Sequence, residues 1–171
     1  MKKFYLHSKL SFLSFLLLFN FLNGNKTFSQ TYCSSVATTN YGDIGNVTFN
    51  TLNNGIAYPV INNSSATGTY SDFTSLSTTV LKGMSYSISV SQISYTSFYN
   101  SWVNVFIDYN QDGVFNTTTE RVFNAGTTSM TGGNVVSGNI TIPTTAVVGS
   151  TRMRIIVKEG GSSFDSPCGT Y

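Results

Sequence analysis

Asp108, Asn110 and Asp112 place oxygen-bearing side chains at alternate positions, and Gly113, Val114 and, further on, Glu120 follow them. This order suits a hard cation. Calcium takes six to eight oxygen ligands, and a short loop can supply several only where its backbone turns sharply. Asp108, Asn110 and Asp112 offer side-chain oxygens, Gly113 permits the turn, Val114 offers its carbonyl and Glu120 a further carboxylate. The expected cofactor is a structural calcium ion. The pattern is not an EF-hand, because strand-like runs flank it and Glu120 lies one place beyond the bidentate position of that loop. Asp112-Gly113 also reads as a plain hairpin turn. That alternative explains two residues but leaves Asp108, Asn110 and Glu120 without a role.

Other chemistries have fewer materials. The single histidine, His7, lies in the N-terminal segment that reads as a leader, so a mature chain has no imidazole for a Ser-His-Asp or Cys-His arrangement. A carboxylate pair for glycoside hydrolysis could in principle be drawn from Asp72, Asp108, Asp112, Glu120 and Asp165. Cation binding accounts more simply for the carboxylates clustered in the loop pattern, so no enzymatic activity is expected. Tyr99 and Trp102, with Tyr95 and Phe98, form an aromatic group before the loop. Aromatic faces stack on sugars or peptides, and next to a central strand they also serve as core.

The elements that must hold this loop are legible around it. Lys2, Lys3 and Lys9 precede an apolar run over 10–19, and Thr27-Phe28-Ser29 offers small residues for cleavage. That order is a secretory signal over 1–29, too short for a membrane span, with a domain over 30–171. Of nine Lys and Arg, four fall in the leader, so five face all seven acids in the mature part and the formal charge moves from +2 to −2. Such a chain has no electrostatic footprint for nucleic acid or anionic lipid. Cys33 and Cys168 are the only cysteines, and in an exported protein such a pair reads as a disulfide.

About 140 mature residues suffice for one domain with a core. They are rich in Ser, Thr, Asn, Gly, Tyr, Val and Ile, which favours strands and turns. Tyr86, Ile88 and Val90 alternate with serines, as a half-buried strand requires. Val103, Val105 and Ile107 share one face of a second run, while Trp102 and Phe106 make its other face apolar, which predicts a central strand. Residues 139–143 and 152–158 repeat the pattern, with Met153, Ile155 and Val157 inward; 76–81 and 121–123 are weaker strands. Turn signals stand at Asn53-Asn54-Gly55, Lys82-Gly83, Asp112-Gly113, Gly132-Gly133 and Val148-Gly149. The expected fold is an all-β, antiparallel β-sandwich of jelly-roll type.

In order, Tyr32-Cys33, Ile61 to Ser65, Tyr70 to Thr74, Leu81 to Tyr86, Trp102 to Phe115, Glu120 to Phe123, Ile142-Pro143, Gly149 to Arg154 and Pro167-Cys168-Gly169 resemble the GEVED domain of secreted bacterial proteins. The resemblance implies a β-sandwich module, secreted or at the cell surface, within larger exported polypeptides such as peptidases and adhesins. It implies an accessory or adhesion role, with extracellular polysaccharide or protein as partner and no catalysis of its own. A carbohydrate-binding module of a secreted hydrolase, using Tyr99 and Trp102, is the alternative. The acidic strand that names the family is expected after Cys168-Gly169, beyond Tyr171, so a C-terminally truncated domain is expected here.

Overall fold

A computed structural model describes residues 30–38, 42–55, 70–94, 99–126, 135–160 and 162–171. The leader reading over 1–29, the stretch 61–65, Tyr95, Phe98 and the Gly132-Gly133 turn lie outside the described residues. Among the described residues there is no helix, and none is therefore long and apolar enough to cross a membrane.

The strands are β1 (Ser35–Val36), β2 (Gly42–Phe49), β3 (Leu52–Gly55), β4 (Ser85–Ser94), β5 (Ser101–Ile107), β6 (Arg121–Gly126), β7 (Val135–Thr141), β8 (Met153–Glu159) and β9 (Gly169–Thr170). One antiparallel sheet runs β3-β2-β4-β7, a second runs β6-β5-β8, and β1 pairs β9 in parallel. The two larger sheets share one core and so form a sandwich. Among the described residues they hold four strands and three, one short of the eight strands of a jelly roll.

Period-two alternation builds that core. On β4, Ile88 and Val90 are buried, and they pair with Phe49 and Val47 on one side and Gly138 and Val136 on the other. Across the sandwich, Val103, Val105 and Ile107 of β5 meet Phe49, Ile88, Val90, Val136 and Ile140. Each fully buried Val, Ile or Phe contributes about 1.5–3 kcal/mol relative to exposure. Gly138 lets the sheets close: a Cβ there would stand 2.6 Å from Cε2 of Phe123 on the opposing sheet. Met153, Ile155 and Val157 of β8 pack inward against this core, as their spacing predicts.

The other face of β5 is also covered. Phe106, Phe115, Ile156 and Phe164 form a second cluster, with Tyr32, Trp102 and Tyr171 packed on it. The central position expected for this strand is therefore found, since β5 lies between β6 and β8 and is buried on both faces, with the Asn104 amide between Trp102 and Phe106 donating to the Phe164 carbonyl. The covering comes from both terminal segments, joined by the Cys33–Cys168 disulfide at a Cα–Cα distance of 5.7 Å. Arg154 ties them to β8, donating from Nη1 to the Pro167 carbonyl and from Nη2 to the Cys33 carbonyl, each at 2.8 Å.

Two local expectations are corrected. Residues 76–81 form no strand: the Asn50 amide donates to the Thr79 carbonyl at 2.8 Å and to Thr78 Oγ1 at 3.1 Å, and the Leu81 amide donates to the Tyr86 hydroxyl. Side chains thus occupy groups that a ladder would otherwise pair. Asn53-Asn54-Gly55 is not a turn but part of β3, and the hairpin reverses at Asn50-Thr51. Asn50 takes φ 50°, a conformation asparagine tolerates better than most residues.

At the far end of β8, Oε1 of Glu159 is buried without a hydrogen-bond partner among the described residues, and burial raises the carboxyl's pKa. A raised folded-state pKa favours folding below the unfolded value and opposes it as pH rises through the folded one. Glu159→Gln is therefore expected to stabilise the protein at pH 7 by no more than about 0.5 kcal/mol, since the residue is only partly buried and solvent screens the rest of the carboxylate. Melts of the two proteins should converge as pH falls to 4.

Candidate functional site

The loop between β5 and β6 is organised around Asp108. Its backbone N–H donates to the Arg152 carbonyl at 3.1 Å, and its own carbonyl accepts the Thr151 hydroxyl. These contacts fix the residue at the end of β5 with its side chain wholly buried. Asp108 Oδ2 accepts the Gly113 N–H at 3.0 Å and the Tyr32 hydroxyl at 2.7 Å, while Oδ1 accepts the Asp112 N–H at 3.3 Å. The chain thus curls round one carboxylate. Gln111 at φ 59° and Gly113 at φ 84° make the curl sterically available.

Asn110 and Asp112 shape the exposed half. Asn110 Oδ1 accepts the Asp112 N–H at 3.1 Å, and Asp112 Oδ1 accepts the Val114 N–H at 2.8 Å. These are side-chain-to-backbone turns two residues long, for which Asn and Asp are suited. The Asn110 amide also donates to Asp112 Oδ2 at 2.8 Å. Val114 turns an exposed side chain outward. Outside the loop, Gln111 donates to the Val147 carbonyl at 3.1 Å and the Val147 N–H donates to the Tyr109 carbonyl at 2.8 Å.

Glu120 lies beneath the loop, 3 % exposed. Its Oε1 accepts the N–H groups of Tyr109 and Asn110 at 2.9 and 3.3 Å, and its Oε2 accepts that of Asn116 at 2.8 Å. A single turn positions it: the Glu120 N–H donates to the Asn116 carbonyl at 3.0 Å, and Asn116 Oδ1 caps the amides of Thr118 and Thr119. Both oxygens are thus directed at backbone amides of the loop. Amide dipoles hold this buried charge, as charge-assisted hydrogen bonds can.

The carboxylates of the loop are not neutralised by side-chain cations. Among the described residues the salt bridge is Arg121–Asp165, and Asp108, Asp112 and Glu120 take part in none. Burial and the Glu120 charge push the Tyr109 phenol up to about 12. Burial, the hydrogen bond to Asp108 and the Asp108 charge push the Tyr32 phenol well above its ordinary value. Tyr32 therefore keeps its proton and acts as a donor. Among the described residues no three His, Cys, Asp or Glu side chains gather as a metal cluster. A cation here would draw on the Asp108 and Asp112 carboxylates, the Asn110 amide oxygen and a backbone carbonyl, while the Glu120 oxygens already accept three loop N–H groups.

The aromatic candidates separate. Tyr99 is 53 % exposed. Trp102 is half-buried against the second cluster, and its indole lies so close to Gly126 that a Cβ there would stand 3.2 Å away. Packing is thus the main environment of Trp102. The sequence reading missed Tyr32, which sits 76 residues from Asp108 and has no local signal for the contact. It also missed Asn116, for which a signal existed: an Asn four places before a Glu, where one helical turn brings them together.

The family model of the GEVED domain matches residues 102–171, from the β5 tryptophan through the loop, β8 and the disulfide's second cysteine. The resemblance read from the sequence is established over that stretch, whereas Tyr32-Cys33 and the segments up to Tyr86 precede it. No curated protein and no solved structure matches the chain.

Proposed function

We propose that this chain, GEVED-like over residues 102–171, is a non-catalytic accessory or adhesion module of an exported bacterial protein, with its β5–β6 loop stabilised by calcium. The observation that carries the reading is Asp108: a wholly buried carboxylate, wrapped by its own loop and paired with no Lys or Arg among the described residues. Each carboxylate oxygen has two lone-pair sites. The described contacts fill both on Oδ2 and one on Oδ1, so a cation would meet Asp108 at Oδ1. Asp108, Asn110, Asp112 and the Val114 carbonyl would hold the ion, and Glu120 would brace the loop from below. Bound calcium would supply positive charge opposite Asp108 and Asp112. The disulfide favours an oxidising compartment.

Extracellular calcium modules bind at about 10⁻⁴ to 10⁻³ M. At ten times the dissociation constant, linkage gives about 1.4 kcal/mol of stabilisation. For a domain of this size that raises Tm by about 4 °C. Scanning calorimetry in 10 mM calcium and in EGTA is expected to show this difference, and Asp112→Ala is expected to remove it. Superimposable wild-type melts in the two buffers would rule the calcium out.

A further inference from the structure

We propose that Tyr32 is a positioning residue of the cation loop, held in place by the Cys33–Cys168 disulfide, so that cation affinity depends on that disulfide. The inference rests on the reading of the loop as a calcium site. Tyr32 lies in the N-terminal segment, outside the loop and outside the stretch matched by the GEVED model. Its hydroxyl nevertheless reaches the buried Asp108, donating to Oδ2 at 2.7 Å.

The consequence follows from lone-pair geometry. A carboxylate with one donor can rotate about its Cβ–Cγ bond, whereas two donors on one oxygen and a third on the other fix its plane. Tyr32 and Gly113 together saturate Oδ2, which leaves Oδ1 as the oxygen with spare capacity toward the loop. Partners of this outer-shell kind orient metal ligands, and their loss typically costs 10–100-fold in affinity or activity.

The ring is fixed as firmly as the hydroxyl. It stacks on Phe115 with centroids 4.9 Å apart, and the Arg152 guanidinium lies 5.1 Å above its centroid. The next residue is Cys33, bridged to Cys168 and held through its carbonyl by Arg154. The rest of the terminal strap is held by the two-residue pairing of β1 with β9 and by Thr38, whose N–H and hydroxyl donate to the Tyr171 carbonyl at 2.6 and 2.9 Å. Cutting the disulfide removes the covalent tether that keeps Tyr32 at high effective concentration beside Asp108. The loop would then be completed only after oxidation.

The test uses the full chain, its Tyr32→Phe variant and the Cys33→Ser/Cys168→Ser double variant. Tyr32→Phe keeps the stack on Phe115 and removes only the hydroxyl. Two readouts are needed: amide hydrogen exchange of Asp112 and Gly113 in EGTA, and calcium titration by calorimetry. Tyr32→Phe is expected to speed exchange at Gly113 without metal and to weaken calcium binding by about tenfold. The cysteine variant is expected to weaken it at least as much. Unchanged exchange and affinity in Tyr32→Phe would overturn the proposal, whatever the cysteine variant does. A wild-type chain that takes up no calcium overturns the cation reading and the affinity claim with it. In that case faster Gly113 exchange in Tyr32→Phe would still uphold Tyr32 as the residue that positions Asp108, and unaltered exchange would remove that as well.

Discussion

Replacing Cys33 and Cys168 together with alanine is expected to lower the unfolding free energy by about 3–5 kcal/mol. The bridge spans a sequence separation of 135, so it constrains nearly all of the described chain in the unfolded state. The chain-entropy relation for a loop of that length gives about 5 kcal/mol. The measured loss should fall somewhat below this, because the unfolded chain without the bridge retains residual structure and so gains less entropy than a random coil. The terminal segments cover Phe106, Phe115 and Ile156 on the outer face of β5, so their release would also expose the second cluster. Urea unfolding should show an earlier midpoint and a steeper dependence on denaturant, since an uncrosslinked unfolded chain exposes more surface. A midpoint unmoved by the double substitution would show that the bridge adds no net stability to this fold.

The parts of this fold that were legible in the sequence are those governed by short periods. Ile88 and Val90 among serines, and Val103, Val105 and Ile107 opposite Trp102 and Phe106, declare their faces because a strand repeats every two residues. The β5–β6 loop was placed for the same reason, since a strand stood before it and another after it. Asn53-Asn54-Gly55 misled because turn residues are only a local preference. The register of β2 on β4, with Phe49 opposite Ile88, places the reversal at Asn50-Thr51 instead. Residues 76–81 misled in the opposite way, alternating like a strand while Asn50 and Tyr86 occupy their backbone groups. At the loop itself, residue types revealed available oxygens but not their direction. The hydroxyl that reaches Asp108 arrives from the N-terminal strap, and nothing in the local sequence announces a contact across 76 residues.

Glu120 is where that difference has the largest measurable effect. Glu120→Ala is expected to cost about 3 kcal/mol, because it strips the acceptor from three loop amides and leaves buried N–H groups to find water or remain unpaired. Two of those bonds, from Tyr109 at 2.9 Å and Asn116 at 2.8 Å, are short enough to carry most of the loss. Glu120→Gln preserves volume and can keep the oxygen facing Tyr109 and Asn110. Its amide would then face the Asn116 N–H donor to donor, so a loss of about 1–2 kcal/mol is expected. A ligand carboxylate and a loop brace differ in their dependence on calcium. As a brace, Glu120 should give the same losses in EGTA and in calcium, because the amides it accepts from need no ion. As a ligand, its substitution would leave the EGTA melt nearly untouched and reduce only the calcium-dependent gain. Denaturant titrations of both variants in the two buffers separate these cases. Both oxygens are on backbone amides, so equal losses in the two buffers are expected. Asp112→Ala, on the exposed half of the loop, is expected to do the converse, changing the response to calcium more than the stability without it.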